Sequence, residues 1–373
     1  MFDFIPYGRQ TIEQEDIDAV SKALKDPLIT TGPKVKEFEE RISKYCESEY
    51  AVAVSNGTAA LHLASLALLS EGEEVLTTPN SFLATSNSIL YAGAKPIFVD
   101  IAEDGNIDLN LCEDALKKGG KISAIYVVSF SGRLVAQSDL KFLRDRYGVK
   151  ILEDNAHAIG AVREGVRAGS CQNSDLSIFS FHPVKNMTTG EGGAITTNDR
   201  ELYEKLLTLR NHGIVKSKEM APWEYEMRTL GFNYRLTDFQ AALGISQIKR
   251  LEGFLSKRRE IAKRYDKAFD STETIEPLYS FDEGSAYHLY VVKVKNSDKR
   301  ALFEKLLSKG VGVQLHYMPI NRQPYYKSLG YGDEVMPVMD RYYQEALSLP
   351  IYPLLGKAEQ EYVIESLLEV VDE

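Results

Sequence analysis

The sequence predicts an α/β fold whose large sheet is mostly parallel, and three observations carry that reading. Between residues 50 and 197, short apolar runs alternate with helix-period segments, the pattern of strands joined by helical crossovers. Several runs break at their carboxyl ends into polar, glycine-bearing loops, where ligands sit in open α/β sheets. At 373 residues, with 44% apolar and 26% charged side chains, the chain can bury a large core and has the length of two domains.

Taken in order, Thr11 and Gln14 form a capping box for a first helix bearing Ile17, Val20 and Leu24 at helical spacing. Val35, Phe38 and Ile42 mark a second helix after Gly32-Pro33, and both apolar faces are expected in the core. Alternating units follow: strand Tyr50–Val54, helix Thr58–Leu69, strand Glu74–Thr78, helix Ser81–Ala92 and strand Pro96–Asp100. Helix Leu111–Lys118, strand Ala124–Ser129 and helix Leu140–Tyr147 continue the alternation into strands Lys150–Glu153, Leu176–Phe181 and Ala194–Thr197. His212–Arg235 is a long polar and aromatic connection carrying Trp223, Tyr225 and Tyr234; loops of this length are functional or cover a partner. Helix Thr237–Ile248 comes next, and composition then turns more charged at Lys249–Lys267. That change sets a division between a large domain, 1–248, and a smaller C-terminal α/β domain, 249–373, with the extreme N-terminus packing on the smaller one. Strand Tyr287–Val294, helix Arg300–Lys309, strand Val311–Leu315 and two final helices fill the second domain.

Composition excludes several classes of function. A formal charge of -10 disfavours nucleic acid and anionic membrane as partners, so local basic groups must handle any phosphates. Cys46, Cys112 and Cys171 show neither CxxC spacing nor an even framework, so they read as reduced thiols of a cytosolic protein, and no metal site is expected. MFDFIPYGRQ lacks a signal-peptide pattern, and no apolar run approaches the length of a membrane span.

Three stretches carry chemistry. Leu176–Gly193 is an apolar strand breaking into a loop with Lys185, preceded by Pro183 and followed by Thr-Thr-Gly-Glu-Gly-Gly, a frame able to hold an amine out of water. A lysine so held has a depressed pKa, and its neutral amine can form a Schiff base with an aldehyde. Asp154, in VKILEDNAHA, ends a strand; it reads either as a cap for the following turn or as the carboxylate that keeps a pyridine nitrogen protonated. Ser55-Asn56-Gly57-Thr58 opens an Ala/Leu-rich helix, and Gly57 and Thr58 read either as an ordinary cap or as a phosphate cradle. Cradle, ring acid and lysine, each at a strand end, together describe a pyridoxal 5'-phosphate enzyme.

These motifs, with TTPNSFLATSNSILYAGAKPIFVDI, EDNAHAIGA, SIFSFHPVKNMTTGEGGAITTND, GFNYRLTDFQAALG, HYMPI and LSLPIYP, resemble the DegT/StrS-type sugar aminotransferases over nearly the whole chain. The resemblance implies fold type I of the pyridoxal phosphate enzymes, like aspartate aminotransferase. It implies Lys185 as anchor and general base, Asp154 on the ring nitrogen, Ser180 at the phosphate and Phe82 stacked on the ring, a position that spacing alone also reads as helix core. His157 stands where many relatives have glutamine, either near the phenolic oxygen or as pocket wall. Asn233 is expected to cross to the cofactor phosphate of a neighbouring subunit, which makes a homodimer with shared sites. Arg235 serves either a carboxylate or phosphate or an interface ion pair, and His316 and Tyr317 either face the site mouth or are structural. Glutamate and a nucleotide-linked keto sugar are the implied substrates, with relatives that act on other nucleotide sugars, dTDP- or GDP-linked, or on keto-inositols as the alternatives. VSFSGRLV, DNAHAIG and LSIFSFHPVKNMTTGEGG are most similar to the pseudaminic acid branch, which aminates C4 of a UDP-linked 4-keto-6-deoxy-N-acetyl sugar; Ser129 departs from the acidic residue expected there. A regulator on the same fold would have lost the lysine or the ring acid, and both are present.

Overall fold

A computed structural model describes residues 4–372; Met1–Asp3, the start of the stretch read for a leader, and Glu373 lie outside it. A central seven-stranded sheet is formed by β1 (Tyr50–Val54), β2 (Glu74–Thr77), β3 (Lys95–Phe98), β4 (Ile122–Val128), β5 (Lys150–Asp154), β8 (Leu176–Ser180) and β9 (Gly193–Thr197). A small hairpin, β6 (Val162–Arg163) with β7 (Val166–Arg167), lies between β5 and β8 in the chain. Strand order is β1-β9-β8-β5-β4-β2-β3, and β9 alone runs antiparallel to its neighbours. The sheet is therefore mostly parallel, as the alternation predicts, and strands such as Ala124–Val128 and Ile151–Leu152 are buried as a sheet covered on both faces requires.

Helix α1 (Gln14–Ala23) corrects the first expectation. Its capping box is made by Glu13 and Asp16, not Thr11 and Gln14, and its buried residues are Asp16 and Ala23. Asp16 takes Gln247 Nε2 at 2.8 Å and pairs with Arg250, while Ile17 and Leu24 are 50% and 54% exposed. The ion pair, not the apolar stripe, decides which face docks. Helix α2 (Pro33–Cys46) buries Val35, Phe38 and Ile42 as expected, and α3 (Gly57–Leu68) and α4 (Leu83–Tyr91) follow β1 and β2.

Further helices are α5 (Leu109–Lys117), α6 (Gln137–Tyr147) and α7 (Arg200–Arg210), the last falling in a stretch with no predicted element. The long connection contains a short hairpin, β10 (Ile214–Val215) with β11 (Glu226–Met227), before α8 (Asp238–Ile248) and the long α9 (Leu251–Phe269). A three-stranded sheet, β12 (Ile275–Pro277), β13 (Tyr290–Val294) and β14 (Ala346–Leu349), then packs against α9 and the C-terminal helix Lys357–Asp372. Val311–Leu315 is not a strand: Val311 makes one bridge to Ile5 and Gln314 one to Ser348. The Ile5 bridge and its burial with Ile261, Val292 and Leu306 seat residue 5 among C-terminal elements. Cys46, Cys112 and Cys171 are free and buried.

Candidate active site

The site forms where β1, β5 and β8 end. Because β9 returns antiparallel between β8 and β1, Gly193 pairs with both Ser180 and Val54, which puts the lysine loop beside the start of α3. Asn56 caps α3, its side chain accepting Ala59 N–H at 2.8 Å, and among the described residues the amides of Gly57 and Thr58 find no protein acceptor. They remain directed to a ligand, and the helix N-terminus favours an anion. Ser180 adjoins this end so closely that a Cβ on Gly57 would lie 2.8 Å from its Cβ. The lysine loop is tied at its neck: Phe181 N–H donates to Gly192 O at 2.8 Å, and Thr188 Oγ1 and Thr189 N–H both donate to Phe181 O. At its tip Lys185 N–H closes a turn on His182 O at 2.9 Å.

Lys185 and Asp154 open into one cavity of about 830 Å³, whose lining also includes Gly57, Thr58, Ser180, Phe82, His157, His316 and Tyr317. Burial pushes the Lys185 amine down to about 8, opposed by the carboxylate of Asp154. Burial likewise raises Asp154, opposed by hydrogen bonds from Thr85 Oγ1 at 2.6 Å and Ala156 N–H at 3.1 Å and by the lysine charge. Each group thus lowers the other's cost of being charged. Thr85 sits in turn beside Ser81 Oγ at 2.7 Å.

His157 Nε2 lies 3.2 Å from Tyr317 Oη, and His316 Nδ1 lies 2.9 Å from Ser348 Oγ. Phe82 is 60% exposed into the cavity rather than in helix core, its ring 6.3 Å from that of Tyr317. Asn233 and Arg235 are not in the cavity wall of this chain. Asn233 is exposed, and Arg235 donates to Asn211 Oδ1 at 2.7 Å, with no ion pair among the described residues. Ser129 is buried and donates to Asn155 Oδ1 at 2.5 Å, beside the cavity and not in its lining. The residue that departs from the expected acid therefore touches Asn155.

Sequence reasoning missed Thr85 and His288. His288 Nε2 lies 3.5 Å from Lys185 Nζ, across from the loop on the approach to β13. Neither belongs to a spacing motif; the serine and threonine pair at Ser81 and Thr85, one helical turn apart, was the only local signal for the first.

An anion-ready helix end, a buried acid and an amine kept near neutrality fit the phosphate, ring nitrogen and aldehyde of pyridoxal 5'-phosphate, and with this sheet they define a fold type I enzyme of that cofactor. The chain belongs to the DegT/DnrJ/EryC1/StrS aminotransferase family, whose model matches residues 10–368. It is 42% identical, over 99% of its length and 98% of the relative's, to the UDP-4-amino-4,6-dideoxy-N-acetyl-beta-L-altrosamine transaminase of Campylobacter jejuni strain 81-176. It is 35% identical to the spore coat polysaccharide biosynthesis protein SpsC of Bacillus subtilis, covering 99% of this chain and 97% of that one. Among solved structures, Helicobacter pylori PseC, an aminotransferase of pseudaminic acid biosynthesis, superposes with a TM-score of 0.94 at 30% identity over 99% of each chain. The pyridoxal phosphate form of a Streptococcus pneumoniae sugar aminotransferase matches with a TM-score of 0.90 at 30% identity, over 99% of each chain. The protein is a pyridoxal phosphate-dependent aminotransferase.

Proposed function

We propose that the protein moves an amino group from L-glutamate to C4 of a UDP-linked 4-keto-6-deoxy-N-acetylhexosamine. The carrying observation is the meeting of Lys185, Asp154 and the free amides of α3 in one cavity large enough for a cofactor with a substrate over it. The 42% identity to a transaminase named for such a UDP sugar supports the substrate.

When bound, pyridoxal phosphate supplies an aldehyde that captures amines and a ring that withdraws electrons. Gly57, Thr58 and Ser180 would hold its phosphate; Asp154, kept ionised by Thr85 and Ala156, would hold a proton on the ring nitrogen; Phe82 would stack on the ring; and His157 would serve its phenolic oxygen. Lys185 would anchor the aldehyde and, as a free amine, would serve as the base that moves the proton of the donor. His316 and Tyr317 face the substrate, and Asn233 reaches the phosphate of a partner subunit in a homodimer, with Arg235 at that contact. The two-domain division at 248/249 puts Lys185 on one side of the cavity and His288 on the other. No helix among the described residues is long and apolar enough to cross a membrane, and we place the enzyme in the cytosol.

Adding glutamate to purified holoenzyme should convert the absorbance of the aldehyde form to that of the aminated form, and UDP-linked 4-keto sugar should reverse it with amino sugar as product. Equal turnover of dTDP- or GDP-linked keto sugars would overturn the assigned nucleotide, and multiple turnover by Lys185→Ala would overturn the lysine.

A further inference from the structure

We infer that His288 is the positioning residue for the free amine of Lys185, holding it when it is released from the cofactor and setting its basicity; this rests on Lys185 being the cofactor lysine. The 3.5 Å between His288 Nε2 and Lys185 Nζ is at the long limit of a hydrogen bond, the span at which catalytic contacts sit before a ligand tightens them. Nδ1 of the same ring is buried with no partner among the described residues, so no competing bond fixes the tautomer. Nε2 can accept from the ammonium or donate to the neutral amine, matching the lysine in either state.

The surrounding structure is built to hold this imidazole still. Arg258, 1% exposed, donates through Nη1 to the carbonyls of Tyr287 at 3.1 Å, His288 at 3.2 Å and Ile351 at 3.0 Å. On the opposite side, Ala286 N–H donates to Gly132 O and Leu289 N–H to Ser131 O, stitching the segment to the turn after β4. Gly132 has φ +105°, and a Cβ there would meet Tyr287 N at 2.8 Å and His288 N at 3.0 Å, so only glycine lets the segment approach this closely. The His157 ring stands 4.3 Å from that of His288.

The groups facing His288 are Lys185 from the loop, His157 from the turn after β5, Arg258 from α9, and His316; burial and these neighbours keep its ring neutral. Lys185 faces Asp154, and its charge is felt by His157 and His316 as well. Asp154 is the anion that draws the amine toward charge, and the bond that neutral His288 accepts from the ammonium is charge-assisted and stronger than the one it donates to the neutral amine. Removing the imidazole therefore disfavours the ammonium and moves the lysine midpoint down.

The test measures the pH midpoint of Lys185 acetylation by acetic anhydride in full-length protein stripped of cofactor, read by mass spectrometry. His288→Leu should lower the midpoint by roughly half a unit or more, and His288→Gln, which keeps a donor and an acceptor, should restore it. In holoenzyme the leucine variant should lose about 10- to 100-fold in kcat with KM for the keto sugar unchanged, and the glutamine variant should recover most of it. A folded His288→Leu protein with wild-type midpoint and kcat overturns the proposal. Independent of any variant at this position, the ring nitrogen signals of His288 in wild-type protein must move by NMR as Lys185 titrates; fixed signals also overturn it. Whether Lys185 holds the cofactor at all is read separately, from holoenzyme absorbance, so failure of that assignment is not confused with failure of this one.

Discussion

At the scale of single residues, the site is a balance between burial and pairing. Lys185 at about 8 gains its neutral form as pH rises through that value, so steps that use it as a base should quicken there. Asp154 works only as the anion, and burial makes it vulnerable to acid at a pH above the ordinary aspartate range. Thr85 Oγ1 is the largest of the three groups that resist this, ahead of Ala156 N–H and the Lys185 charge, so Thr85→Val should shift the acidic limb of the kcat/KM profile upward, on the order of one pH unit, the worth of one hydrogen bond to a charge. An unmoved limb would assign the proton on the ring nitrogen to some other control. Lys185 and Asp154 were legible in the sequence because their chemistry demands particular residue types at strand ends. Thr85 and His288 were not, because a hydroxyl on a helix and an imidazole before a strand acquire meaning only through what the fold brings against them.

At the scale of elements, α3 shows how tightly a cradle is fitted. Ser180 is short and close to its own backbone, so it cannot swing aside for a methyl group at residue 57, where the gap is 2.8 Å. Gly57→Ala should then displace the helix end and weaken pyridoxal phosphate at least about tenfold while leaving affinity for phosphate-free pyridoxal unchanged, both measured by titration. Equal loss for the two ligands would place the damage elsewhere. The strands of the central sheet and the helices of residues 50–197 were readable to within a few residues because buried parallel strands are apolar throughout and bounded by loops, whereas the short hairpin of β6 and β7 was not. The reading of α1 failed for the opposite reason: Asp16 turned inward to Arg250 and Gln247, and an apolar stripe was left facing out. Val311–Leu315 has the composition of a strand, but only isolated bridges form there.

At the scale of the whole molecule, exposed apolar side chains gather on α1 and on the hairpin connection, where Trp223 is 79% and Leu230 76% exposed. The homodimer proposed above would cover such side chains, and Asn233 lies on the same connection, outside its own cavity. Mixing Lys185→Ala subunits with Asn233→Ala subunits should therefore rebuild working sites, roughly a quarter of them for random pairing, whereas either variant alone stays impaired. Absence of recovery after subunit exchange, verified by native mass spectrometry, would mean that Asn233 serves no neighbouring site. The reversed strand that brings the lysine loop beside α3 has a further consequence, for the nascent chain on the ribosome. Apart from one bridge from Val54 to Arg235, β1 pairs among the described residues with β9 alone, which is made more than a hundred residues later, roughly 10–30 s at ordinary rates of synthesis. Throughout that interval the first strand of the sheet to emerge waits as an open edge until its late partner arrives.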